Sequence, residues 1–461
     1  MKRVVRFPQL FLTLFLLVSV ACSDDDDNDG GEMMQDPTIV DLAVDNDDLG
    51  ILVEALTRAN LVTTLQGDGP FTVFAPTDDA FTAFLSANNF ASLDDVPVDV
   101  LTDVLLNHVV EGNNLSTSLS TGYVSSLSTA GADGRALSLF INTDGGVRIN
   151  GVSSVVTADV TASNGVVHIV DAVIGLPNIV DHAVANPDFS SLVGALTDGG
   201  NTTFTDLLSS TDTDFTVFAP VNAAFTAFDN PNDNELANIL SYHVVPGTAA
   251  FSDELMSMYV TTAGTNADGD ALSMYIRPDD NGVEINGSTS VIATDVVATN
   301  GVVHAVNQVI DLPTVVTFAV SNPTFSTLVQ ALTDLTPNTD FVSVLSAQDG
   351  NGDDPFTIFA PTNDAFDALG DLPDEAGLVP VLQHHVIAGA NVRSGDLTDG
   401  ITATTLEGDD ITINLPGTGD NIADITDGAG NTGIGIIAVD VQAYNGVIHV
   451  VNTVLLPDTD N

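Results

Sequence analysis

"FTVFAPTDDAF", Phe71–Phe81, decides how this chain is read, because it is written three times. It returns as FTVFAPVNAAF from Phe215 and as FTIFAPTNDAF from Phe356. Each copy is a short run of β-formers stopped by proline, which cannot continue a central ladder. Behind the proline stand Asp78, Asn222 and Asn363. Their short polar side chains suit the N-cap of the helix expected next. Because the carboxylate of Asp78 becomes an amide in the other copies, a cap fits all three and an acid catalyst does not.

Self-comparison extends outward from this phrase. The copies open at PTIVDLAV (Pro37), PNIVDHAV (Pro177) and PTVVTFAV (Pro313), and close at NGVVHIV, NGVVHAV and NGVIHVV. The period is about 140 residues, domain size and far beyond a solenoid unit. The closing Leu-Pro of one copy is the opening Pro of the next, with no Gly/Ser linker between them. The expected division is a leader at 1–21, an acidic tether at 22–36, and domains at 37–176, 177–312 and 313–461. Within a domain, Leu49, Leu52, Val53 and Leu56 have helical spacing. Asn186-Pro187 and Asn322-Pro323 each start a second helix with proline in its first turn. The second half reads as strands joined at Asn-Gly turns. The fold class is α+β.

Composition excludes some partners. The chain has 461 residues, 63 acids and 8 bases. Nucleic acid and anionic lipid surfaces are therefore repelled, since both need cationic groups to displace counterions. The acidity suits either a high-salt habitat, where ions screen self-repulsion, or cation binding.

Lys2, Arg3 and Arg6 precede an apolar run, Leu10–Val20, that is too short to span a bilayer. It ends at Cys22, the only cysteine, so an internal disulfide is impossible. Ser19-Val20-Ala21-Cys22 resembles a bacterial lipobox, which implies acylation of Cys22; ordinary cleavage near Ala21 is the alternative. The following SDDDDNDGG (23–31) is a solvated spacer by composition and resembles the surface-export signal of Bacteroidetes lipoproteins.

The FTVFAP and NGVVH boxes, with SYHVVPG (241–247) between them, resemble the signature of the fasciclin (FAS1) domain family. The resemblance covers 37–457. It implies three tandem FAS1-like domains, each a small β-sandwich wedge flanked by helices.

Six of the eight histidines recur: His108, His243 and His385 before the strand half, and His168, His304 and His449 in the closing strand. Apolar neighbours on both sides mark them as buried structural rings. His182 and His384 have no counterpart and are expected at the surface. No repeated Ser, Cys or acid stands near the histidines at nucleophile-elbow or HExxH spacing, so no enzyme is expected. Asp159-Val160, Asp295-Val296 and Asp440-Val441 fall where animal relatives of the family carry an Asp-Ile implicated in integrin recognition. Tyr242-His243 matches a second adhesion element of those relatives. The resemblance makes these the candidate adhesion residues. Asp349, Asn351 and Asp353 start like a calcium loop but lack its glycine and bidentate acid, and Asn266–Asp270 is similarly incomplete. Only weak, nonspecific calcium binding is expected, and no cofactor. The repeated phenylalanines are expected in the core.

The resulting expectation is a non-enzymatic adhesion or matrix-interaction protein. It would be an outer-membrane lipoprotein on a bacterial surface, held through its lipid alone. The alternative is an envelope binding protein for a polysaccharide or small ligand.

Overall fold

The computed structural model describes residues 36–197, 203–348 and 354–458. The leader, Cys22, nearly all of the tether, and Asp349, Asn351 and Asp353 lie outside the described residues.

Each repeat begins with helices. Thr38, Asn178 and Thr314 start them through reciprocal capping boxes. In repeats two and three, proline opens a turn of 3-10 helix before the next α-helix, Ser190–Leu196 or Ser326–Thr333. The quoted phrase is a six-residue strand in every copy: Phe71–Pro76, Phe215–Pro220 and Phe356–Pro361. It runs parallel to the closing strand, Gly165–Val170, Gly301–Val306 or Gly446–Val451, in one register throughout. A second neighbour is antiparallel, and a long strand, Ser153–Ala162, Thr289–Ala298 or Ile434–Ala443, continues on the other side. Among the described residues each repeat has a seven-stranded sheet.

The closing strand is interior because helices cover one face and the remaining strands cover the other, which is why its sequence does not alternate. Phe74 and Phe218 stack on His168 and His304 with centroids 5.6 Å apart, and Phe359 packs tilted on His449 at 5.7 Å. These rings fill the core, as do Phe81, Phe215, Phe356 and Phe366.

The Asn-Gly before the closing strand does more than turn the chain. A Cβ on Gly165 would lie 2.0 Å from the Phe71 carbonyl oxygen, so only glycine lets the two strands meet. Asn164 accepts from Ile39 N–H and donates to the Leu65 and Gly67 carbonyls, pinning the first helix to the sheet. Asn300 and Asn445 make the same three bonds.

Two expectations are corrected. Asp78, Asn222 and Asn363 are the first residues of their helices, whose N-caps are Thr77, Val221 and Thr362. Their side chains reach across to the preceding helix. Asp78 accepts from Ile51 N–H at 2.7 Å, Asn222 from Ser191 N–H at 2.8 Å and Asn363 from Thr327 N–H at 2.9 Å. Capping chemistry is present, but it serves a neighbour whose own N-cap, Leu49, Phe189 or Phe325, has no oxygen to offer. His182 and His384 are interior rather than surface residues. His182 sits against Tyr123 of the preceding repeat, centroids 5.6 Å apart. His384 fills a pocket particular to repeat three, with Thr405 and Glu407.

Candidate functional site: a serine, aspartate and histidine cluster in every repeat

The long strand bulges where it passes the closing-strand histidine. At the bulge Asp159, Asp295 and Asp440 adopt φ of 63°, 61° and 59°. Asp tolerates this left-handed region better than most side chains, because it bonds locally to backbone. The bulge aims each carboxylate at a serine from the segment after the second strand. Asp159 accepts from Ser116 N–H at 2.7 Å and Ser116 Oγ–H at 2.6 Å. Asp295 holds Ser252 in the same two ways, and Asp440 holds Ser394 at 2.7 and 2.5 Å. The Ser116 bonds keep the Asp159 carboxyl below its usual range.

Serine, aspartate and histidine thus meet three times, which the sequence reading missed. The available signal was a repeated Ser-x-x-Leu at 116–119, 252–255 and 394–397. The wiring differs from that of a hydrolytic triad. There, histidine takes the serine proton and the acid orients the histidine. Here the serine proton goes to the aspartate. The histidine ring bonds backbone instead: Nδ1 of His168 and His304 accepts from Asp159 and Asp295 N–H, and Nε2–H donates to the Asn114 and Ala250 carbonyls. His449 donates in the same way to the Val392 carbonyl. The histidine does not serve the serine as a base. The cluster is a clasp that ties a loop to the bulge.

The middle histidines are locked as firmly. His108, His243 and His385 accept from Ile174, Ile310 and Leu455 N–H at Nε2, so their Nδ1–H donates to Val104, Ile239 and Val381 carbonyls. Burial pushes each of the three down to about 4.

The other candidate adhesion side chains are turned inward. Val296 and Val441 are buried and Val160 half-buried. Tyr242 is fully buried; its hydroxyl donates to the Ser273 carbonyl and accepts from Asn286 Nδ2. His243 is beside it in the core. The part of this set that solvent reaches is the aspartate side.

Asn266–Asp270 is a tight turn, with Asn266 Oδ1 accepting from the N–H groups of Asp268 and Asp270. The carboxylate of Asp270 meets Arg393. Among the described residues, His384, Glu407 and Asp409 form the one three-residue set close enough to hold a metal. Gly428 N–H donates to His384 Nε2, which leaves the proton on Nδ1, facing Thr405 Oγ1 at 3.1 Å and Glu407 at 3.4 Å. That proton occupies the direction a metal ion would take.

A family model described as the Fasciclin domain matches residues 47–177, 187–313 and 323–457. Protein sll1483 of Synechocystis is 42% identical over 137 residues, covering 30% of this chain and 72% of that protein. Transforming growth factor-beta-induced protein ig-h3 of Sus scrofa is 26% identical over 416 residues, 87% of this chain and 55% of its own length. Cell surface glycolipoprotein MPB83 of Mycobacterium bovis is 36% identical over 150 residues, 31% of this chain and 60% of that protein. The chain therefore spans about half the length of ig-h3. A solved FAS1 domain pair from the insect adhesion molecule fasciclin I is 20% identical, with a TM-score of 0.39 over 58% of this chain and 98% of that one. With both signature boxes in three copies and a family match over most of its length, this chain belongs to the fasciclin domain family.

Proposed function

We propose that the protein is a non-enzymatic surface adhesion or matrix-interaction protein that binds through the bulge face of each repeat. One observation carries the proposal. Three residues before the bulge aspartate, every repeat exposes an aliphatic side chain: Val156 at 58%, Ile292 at 55% and Ile437 at 43%. A lone exposed aliphatic residue means little. An exposed aliphatic residue at the same place in three copies, three residues before the bulge aspartate, is a contact offered three times on one chain. Weak contacts then add through avidity. The chemistry suits a protein surface with an apolar spot next to a basic group. It suits sugar less well, since the chain has no Trp and five Tyr for stacking. Among the described residues no helix is long and apolar enough to cross a membrane, so surface attachment in this proposal rests on the Cys22 lipid.

The test uses beads coated with the protein, on extracellular-matrix and cell-surface preparations, with and without calcium. Val156→Ser, Ile292→Ser and Ile437→Ser are made singly and together. Single changes are expected to weaken attachment a few-fold and the triple change to abolish it, with the melting temperature unchanged. Full attachment by the triple variant would sink the proposal. A Cys22→Ala strain is expected to release the protein from cells without altering bead attachment.

A further inference from the structure

The seams between repeats share one geometry. In GRALS (134–138) and GDALS (269–273), the serine accepts a backbone N–H from the next repeat. Ser138 Oγ takes Val297 N–H at 2.9 Å, and Ser273 Oγ takes Gln442 N–H at 3.0 Å. An aromatic plug matches as well: Tyr123 meets His182, and Tyr259 meets Phe318 with centroids 5.4 Å apart.

On this common frame the charges are reversed. At the first seam the upstream residue is Arg135. It pairs with Asp253 at 2.9 Å and Glu254 at 3.0 Å, and its guanidinium lies 3.9 Å over the Phe251 ring. At the second seam the matching upstream residue is Asp270. It pairs with Arg393 at 2.8 Å and accepts from Asn391 Nδ2 at 3.1 Å. Arg393 occupies the position of Phe251, each directly before the serine that holds the bulge aspartate. Residues 37–461 contain five arginines, and two of them are at the seams.

We infer that the reversed seams are a recognition code that favours docking of each repeat on its own successor and refuses wrong pairings, including those with a second copy. Repeat two docked on itself would set Asp270 against Asp253 and Glu254. Repeat one docked on repeat three would set Arg135 against Arg393, with glycine in the place of Asp253 and only Asp396, in the place of Glu254, left to offset it. Like charges face each other across the first of these seams and a lost ion pair with an added Arg–Arg contact marks the second, which discriminates even where a correct pair adds little affinity. The serine bond is common to both seams and does not distinguish the repeats, whereas the charged pairs do. A Cβ on Gly287 would lie 2.9 Å from Ser321 of the incoming helix, so the second seam also needs a glycine there.

The test measures amide hydrogen exchange at Gln442, which donates across the second seam, in the whole protein. Asp270→Arg and Arg393→Asp are each expected to speed that exchange about tenfold, the factor that 1.4 kcal/mol gives. The double variant Asp270→Arg/Arg393→Asp is expected to return within about twofold of the native rate. Asp270→Asn is expected to fall between. In 1 M NaCl the excess in the single variants is expected to shrink, because screening acts on charge and not on shape. Unchanged exchange in the single variants, or no rescue in the double, overturns the code. Should a reversal also loosen core amides such as Val303, the Asp270→Asn rate and its salt dependence decide in the same way.

Discussion

Asn222 shows at residue scale what a single side chain settles. Its Oδ1 accepts from Ser191 N–H, and its Nδ2 donates to the Pro187 carbonyl at 2.9 Å. Asn222→Ala removes both and is expected to cost about 1 kcal/mol of repeat stability by chemical denaturation. Asn222→Asp keeps the acceptor, as Asp78 does in repeat one, and is expected to cost less. The capping ability of these residues was legible in the sequence, because it is local chemistry. Which helix receives it was not, because that depends on a contact between segments far apart in the chain. The bulge serines were hidden for the same reason. Ser252→Ala removes a hydroxyl donor from the Asp295 carboxylate and is expected to cost about 1–2 kcal/mol. Its solvent-facing neighbour Ile292 would be left in place, so denaturation and attachment measured side by side separate the clasp from the contact.

At the scale of elements, the closing strand was the most legible part. An unbroken apolar run around one histidine has few destinations other than a doubly covered strand. Its turn glycine is correspondingly intolerant. A Cβ at Gly301 would lie 2.0 Å from the Phe215 carbonyl oxygen, so Gly301→Ala is expected to cost more than about 3 kcal/mol, read as early melting of repeat two. The bulge was not legible, since nothing in Thr294-Asp295-Val296 demands a left-handed residue. The misplacement of His182 and His384 has a related cause: both are interior only because another segment covers them.

The histidines give the whole molecule its acid response. His108, His182, His243 and His385 are held neutral, each pushed down to about 4 by burial. In the unfolded chain a histidine takes up its proton near pH 6.5. Their stabilising contribution is therefore complete above that pH and is lost as pH falls from 6.5 toward 4. At about 3 kcal/mol per ring, the melting temperature is expected to drop steeply across that window. His243→Gln is expected to lower stability at neutral pH and flatten the acid limb, followed by calorimetry between pH 4 and 7.5. Charge acts on the same scale. With a net charge of −55, raising NaCl from 50 mM to 1 M at pH 7.5 is expected to lift the melting temperature by about 5 °C or more, as self-repulsion is screened.

The serine at each seam has a mechanical consequence. Val297 N–H is held by Ser138 of the preceding repeat, and Val297 lies on the same strand, Thr289–Ala298, that carries Ile292 and Asp295. A tug on Ile292 is therefore passed through the bulge of its strand and across one hydrogen bond into the neighbour's sheet. Strain at one foothold reaches the next repeat without stretching a tether.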